Sequence, residues 1–270
     1  MQGLAKVFNY VKVSCWEDDT QDEVVVAQAQ KAFKDLTAQA EFTKFKLLYR
    51  LAGQSGSGKT TQLLPAVSEC EKIKGRNPII IGVRTFVQYH PQYSELLNTV
   101  PKSEMRERTN GFALKCLCVT LKLLIESGYF IVLDITILDP VFEEFVLENL
   151  NANGYKVQYH ILAVSKTQSD AFICKRAGDV TNAESGRKVN KASMDYFYNI
   201  LPVGLKYLAK TDRKNSCYIW SAYDRDPIYM GKLLTSVEAV IKGRETVGAL
   251  QSEDELRAAK IKFISSLQTW

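Results

Sequence analysis

The sequence predicts an α/β fold in which a parallel sheet is flanked by helices. Two observations carry this. Short apolar runs, compatible with buried strands, alternate with longer stretches of helical periodicity, the order that lays strands parallel with helices crossing between them. The stretch Gly53-Gln54-Ser55-Gly56-Ser57-Gly58-Lys59-Thr60 matches G-x-x-x-x-G-K-[ST] at every fixed position.

The setting of that stretch fits a phosphate loop. Lys46 to Ala52 (KLLYRLA) is largely apolar and reads as a strand. Lys59 to Ile73 has helical spacing at Leu63, Leu64, Val67 and Ile73, with Pro65 in its opening turns, where proline is tolerated. Glycines let the backbone bend so that several N–H groups face one anion, and the helix that follows adds its positive end. Lys59 is placed to reach β- and γ-phosphates and Thr60 to ligate Mg²⁺. Gly53 to Thr61 is therefore the nucleotide-contacting stretch, with ATP and Mg²⁺ as its expected ligands. A random chain of this length would match the four fixed positions about one time in a hundred, before the strand and helix context is counted.

Composition sets the limits. A chain of 270 residues with 46% hydrophobic and 24% charged residues has enough apolar material for a large α/β domain. The net charge of +5 is mild and no dense basic stripe is visible, so phosphate-rich small molecules are expected and nucleic acid is not. Six cysteines lack framework spacing, and Cys116 and Cys118 lie in an apolar helix, so buried thiols are expected rather than zinc ligands. No segment reaches membrane-spanning length, and the expected location is a reduced cytoplasm.

Along the chain, residues 1 to 15 give no clear element. Trp16 to Glu23 is acidic and reads as a solvated helix start, and Val24 to Ala40 as an alanine-rich helix. Past Gly75-Arg76-Asn77-Pro78, a turn, Ile79 to Ile81 is a short buried strand, and the loop after it borders the site by its place at a strand's carboxyl end. Ser103 to Ser127 is a helix ended by Gly128, and Tyr129 to Leu133 a buried strand ending at Asp134. Four apolar residues and an aspartate resemble the Walker B arrangement, whose acid holds Mg²⁺ or its water. Pro140 to Ala152 is a helix, Val157 to Val164 a strand, and Thr167 to Ala177 a helix. Gly178 to Val189 is polar and reads as a mobile lid. Lys191 to Thr211 is a helix containing Pro202, Cys217 to Trp220 a strand, and the chain from Glu238 onward mostly helical, broken near Gly243 and Gly248. The expected organisation is an N-terminal helical extension (1–45), a phosphate-loop domain (46–235) and a C-terminal helical segment (236–270).

From Lys46 to Leu233 the chain resembles the zeta toxins, kinases that phosphorylate UDP-activated amino sugars and are restrained by an epsilon-type antitoxin. The resemblance rests on five stretches. These are the loop with its strand; the run from Thr85 to Leu96 (TFVQYHPQYSEL); Ser127 to Asp134; Asn153-Gly154-Tyr155 with its strand; and the region from Arg176 to Pro202. It implies a P-loop kinase-like sheet with a helical lid. It implies phosphate-loop roles for Lys59 and Thr60, γ-phosphate contacts for Arg176 and Arg187, and substrate contact for Thr136. Asp134 stands where the family usually has glutamate. The family's catalytic aspartate precedes a Thr-Phe pair, and here Arg84 occupies that position. Cys118 and Leu138 stand where the family has a substrate-binding glutamate and an arginine.

Arg84 reads in three ways: an inert replacement in a kinase without its base, a partner for a phosphate or for Asp134, or a substitution introduced into the chain. His90 beside Pro91 reads either as a substrate contact or as a structural histidine, and His160 as a packing residue. The resulting expectation is an ATP-dependent kinase acting on a hydroxyl of a UDP-activated amino sugar, with reduced activity. The alternatives are a nucleotide-binding pseudokinase and a phosphate-loop kinase for another small acceptor.

Overall fold

The structure, a computed structural model, describes residues 2–13, 20–38, 40, 45–136, 140–178, 191–212, 215–220 and 229–232. Its elements in chain order are α1 (Gln2–Val13), α2 (Asp22–Thr37), β1 (Leu47–Gly53), α3 (Leu64–Ile73), β2 (Ile79–Ile81), α4 (Tyr93–Thr99), α5 (Lys102–Glu126) and β3 (Ile131–Asp134). They continue with α6 (Pro140–Ala152), β4 (Lys156–Leu162), α7 (Lys166–Gly178), α8 (Lys191–Thr211), β5 (Ser216–Trp220) and β6 (Tyr229–Lys232). The six strands form one sheet in the order β2-β3-β1-β4-β5-β6. β2 pairs in parallel with β3, and β4 with β5, while β6 runs antiparallel to β5 along the sheet's edge. The expected parallel sheet flanked by helices is present, and the antiparallel edge strand is an addition to it.

Three elements differ from the sequence expectation. α1 forms where none was expected, and it buries Val7, Phe8 and Val11. Together with Leu4 these occupy i, i+3, i+4 and i+7, an amphipathic stripe that the sequence already held. α4 is a separate two-turn helix, and β6 is a four-residue strand too short to show a pattern. The expected lid beyond Gly178, including Arg187, lies outside the described residues, as do Leu138 and the segment from Glu238 onward.

The chain groups into two compact units. The first comprises Met1–Leu47, Ile79–Leu133 and Pro140–Lys156. α5 is its axis: Phe112, Ala113, Leu117, Leu121 and Leu124 are buried along it. Thr120 Oγ1 donates to the Ala29 carbonyl on α2 at 3.2 Å. The fully buried Lys115 lies 3.7 Å from Asp22 and 5.6 Å over the Phe8 ring, so one cation ties α1, α2 and α5 together. α5 ends in a Schellman turn, with Gly128 N–H donating to the Ile125 carbonyl and Tyr129 N–H to Leu124. Gly128 adopts φ 81° to close it. Cys116 and Cys118 are both buried in α5, and desolvation pushes the Cys116 thiol up to about 12, so both are neutral packing residues.

The second unit comprises Leu48–Pro78, Asp134–Asp139 and Val157–Trp270. Here Glu71, 1% exposed, accepts from the Tyr49 hydroxyl at 3.1 Å and pairs with Lys74 and Arg76. His160 on β4 stacks on Tyr218 of β5 at 5.0 Å and meets the Tyr49 ring at 5.3 Å. Burial, with the Lys74 charge in second place, pushes its imidazole down from 6.5 to about 3. This agrees with the reading of His160 as a packing residue.

Two outcomes follow for stability. Gly128→Ala places a Cβ in the left-handed region and should cost about 1 kcal/mol, read as a lower urea midpoint at unchanged slope. His160 must be neutral in the folded chain, so the stability it permits is complete above its ordinary value of 6.5 and is lost as the pH falls toward 3. Unfolding free energy should therefore drop between pH 6 and 4 by as much as about 1.4 kcal/mol per unit. In His160→Phe, which keeps a stacking ring without a titrating nitrogen, that part of the slope should vanish.

Candidate functional site

The site is built within the second unit, from the carboxyl end of β1. Leu48, Leu51 and Ala52 are fully buried along β1, which fixes where the loop begins. The loop then turns on its glycines. Gly56 has φ 75° and Gly58 φ 91°, both in the left-handed region. A Cβ on Gly56 would stand 2.3 Å from the Ser169 carbonyl oxygen, so no other residue fits there. Past Gly58 the helix opens with a wide turn over Lys59–Leu63, closed by the Leu64 N–H on the Lys59 carbonyl. Pro65 explains the width: it lacks the N–H that would bond the Thr61 carbonyl, and its ring presses on that group. The expected helix from Lys59 to Ile73 is continuous through this turn.

Asp134 closes β3, and its carboxylate meets both loop side chains. Lys59 Nζ lies 3.0 Å from Asp134 Oδ1, and Thr60 Oγ1 donates to Asp134 Oδ2 at 3.4 Å. Both charged side chains are largely buried, 16% and 14% exposed, so the pair is only partly screened by solvent. A cation, a hydroxyl and a carboxylate thus converge at the mouth of a glycine loop. The hydroxyl and carboxylate are hard oxygen donors suited to Mg²⁺, which keeps most of its waters and takes few protein ligands. Among the described residues no group of three or more His, Cys, Asp or Glu could hold a metal by itself.

What holds Asp134 in place was not legible in the sequence. Arg50, inside β1 and 1% exposed, donates Nη1 to the Ile135 carbonyl at 2.6 Å and Nη2 to the Thr136 carbonyl at 3.2 Å. Thr136 Oγ1 in turn donates to the Gly53 carbonyl at 2.9 Å. These three bonds tie the segment after Asp134 to the strand and the loop. The only available signal was an arginine inside an otherwise apolar strand. Gln54, in the loop but 2% exposed, turns its side chain away from the cradle and donates to the Val164 carbonyl and to Ser169 Oγ.

Arg84 is exposed in a 3-10 turn, Val83–Tyr89, of the first unit. That turn explains part of the string it belongs to. Thr85 Oγ1 accepts from the Gly82 N–H at 3.1 Å, Phe86 is fully buried, and His90 packs edge-on against Phe112 at 5.0 Å. His90 Nδ1 also accepts from the Gln92 N–H at 3.2 Å, the contacts of a histidine that fixes the chain after the turn. Arg176 lies in the last turns of α7.

Arg50→Met removes the donors to the Ile135 and Thr136 carbonyls, the first of them buried, and with them the tie behind Asp134. It should lower stability by about 3 kcal/mol, as expected for charged hydrogen bonds lost from a buried site. Urea unfolding checks this, and a cost below about 0.5 kcal/mol would show that the segment is held without Arg50.

Comparisons with known proteins agree with this architecture. The family model described as "Zeta toxin" matches residues 30–227. The chain is similar to Toxin zeta of Streptococcus pyogenes, 27% identical over 233 residues, covering 85% of this chain and 73% of that one. It is also similar to Toxin zeta of Enterococcus hirae, 28% identical over 232 residues, with the same coverage of 85% and 73%. Among solved structures, one from the PezAT chromosomal toxin–antitoxin system of Streptococcus pneumoniae shares the fold, with a TM-score of 0.68 and 21% identity over 92% of this chain and 98% of that one. The AvrRxo1-ORF1:-ORF2 complex is a more distant likeness, with a TM-score of 0.51 and 11% identity over 92% and 83% of the two chains. With a glycine loop, a strand-end acid and a family match over most of its length, the chain belongs to the zeta toxin family, P-loop kinases of toxin–antitoxin systems.

Proposed function

We propose that this kinase binds Mg-ATP on Gly53–Thr61 and transfers the γ-phosphoryl group, slowly, to a hydroxyl of a UDP-activated amino sugar. The observation that carries the nucleotide half is the convergence of Lys59 and Thr60 on Asp134 at the loop's mouth. Lys59 would leave Asp134 for the β- and γ-phosphates. Thr60 and Asp134 would then hold Mg²⁺, which when bound neutralises charge on the phosphate oxygens. Arg176 and Arg187 are assigned to the γ-phosphate, where cations stabilise the charge of the transferring group.

The acceptor half rests on family likeness and on Thr136. In the transfer, the acceptor oxygen bonds to the γ-phosphorus, the bond to the β–γ bridging oxygen breaks, ADP leaves and the hydroxyl proton passes to a base. Arg84 cannot take that proton near neutral pH. Positioning and charge stabilisation supply most of the rate in phosphoryl transfer, so loss of a base slows the step by about a hundredfold to ten-thousandfold. His90 has a supporting part in this reading, through the turn that carries Arg84. The partner is an antitoxin protein, as in the toxin–antitoxin systems of the relatives. A second reading, a nucleotide-binding pseudokinase, is favoured by Arg84 alone.

Calorimetry should show Mg-ATP binding, weakened roughly tenfold or more in Lys59→Ala, which removes the cation from the β- and γ-phosphates. Absence of binding to the unaltered protein would sink the proposal. ATP consumption across a panel of UDP-sugars separates the two readings. Arg84→Asp supplies a base and should raise phosphorylation of UDP-N-acetylglucosamine at least about tenfold, whereas Arg84→Ala should not. Brisk turnover by the unaltered protein, unchanged in Arg84→Asp, would place the base elsewhere, with Asp134 the acid to test.

A further inference from the structure

We propose that Gln54 is a positioning residue that couples the phosphate loop to α7, so that filling the loop sets the position of the helix bearing Arg176. The inference rests on the reading that the loop binds nucleotide phosphate. Gln54 occupies a loop position where the motif demands no particular side chain. Its amide is nevertheless 2% exposed and donates twice, to the Val164 carbonyl at 2.6 Å and to Ser169 Oγ at 2.9 Å. Val164 lies just ahead of α7 and Ser169 is in its first turn, so the amide bridges the helix's point of entry.

The loop backbone presses on the same place. A Cβ built on Gly56 would stand 2.3 Å from the Ser169 carbonyl oxygen and 2.9 Å from Ile173 Cγ1. Ser169 and Ile173 are four residues apart, one turn along a helix face. No compressible space lies between Gly56 and that face, so a displacement of residues 54 to 56 either moves α7 or breaks the Gln54 bonds. Beside this contact, Gln168 is 7% exposed, and neither atom of its amide is hydrogen-bonded among the described residues. A buried amide without partners marks a turn whose hydrogen bonding is incomplete in this position and can be completed in another. Arg176 lies two turns beyond Ser169, and a helix passes on a displacement at its first turn along its length as a rigid rod.

Hydrogen exchange of the α7 amides, with and without a saturating non-hydrolysable ATP analogue and Mg²⁺, tests the coupling. In the unaltered protein the analogue should slow exchange across Lys166–Gly178 at least about fivefold. In Gln54→Leu and in Ser169→Ala, under saturation verified by calorimetry, the slowing should fall below about twofold. Ser169→Thr keeps the hydroxyl and should retain it. Full slowing in Gln54→Leu, loss in Ser169→Thr equal to that in Ser169→Ala, or faster exchange to the same extent with and without nucleotide would each overturn the coupling. If the unaltered protein binds the analogue without slowing at α7, only this inference fails. If it does not bind, the functional reading falls with it.

Discussion

Arg50 is a full positive charge buried to 1% exposure in the strand that leads into the phosphate loop. Burying a guanidinium is costly unless its donors are met, and here the Ile135 and Thr136 carbonyls meet two of them. The consequence is geometric. Backbone carbonyls cannot be moved by a rotamer change, so a fork of N–H groups aimed at two successive carbonyls fixes the path of the chain just after Asp134. Thr136 then closes the loop by donating to the Gly53 carbonyl. Lys59, Thr60 and Asp134 can meet because the strand-end acid and the loop's first residue are held by the same few bonds.

This explains which part of the site was legible in the sequence. The loop was read because its requirements are local: left-handed glycines at 56 and 58, a lysine and a hydroxyl at the start of a helix. Asp134 was read because a strand ending in an acid is also a local pattern. Arg50 escaped, and Gln54 was read only as part of the loop, because their partners lie 85 to 115 residues away and nothing in KLLYRLA or GQSGSGKT announces which groups they will meet. The same distinction holds for the fold. Strands and helices with strong periodicity were placed to within three residues, Pro140–Ala152 and Lys191–Thr211 at their observed bounds. β6, four residues long and defined only by its pairing with β5, was not.

The Thr85-to-Leu96 string teaches a different lesson about family signatures. As a pattern it is the most specific resemblance outside the loop, and it is natural to read such a string as chemistry. Much of it is explained by the fold. Thr85 closes a turn on Gly82, Phe86 fills the core, Tyr89 donates to Asp35 at 3.1 Å, and His90 rests on Phe112. Residues that build a turn are needed for the fold whether or not the turn carries a working base. Family membership and catalytic competence are therefore separate questions here: residues that pack bear on the first and do not by themselves answer the second.

The unequal burial of the two sets of residues bears on how such a chain can change. In the loop and its strand, Arg50 and Gln54 are held by buried hydrogen bonds and Gly53 and Gly56 have no room for a Cβ, so a substitution there disturbs the fold as well as the chemistry. Arg84 is exposed on its turn, and surface side chains are in general exchanged at smaller cost in stability than buried ones. An exposed position on a turn built by buried residues can thus be exchanged while the fold around it is kept.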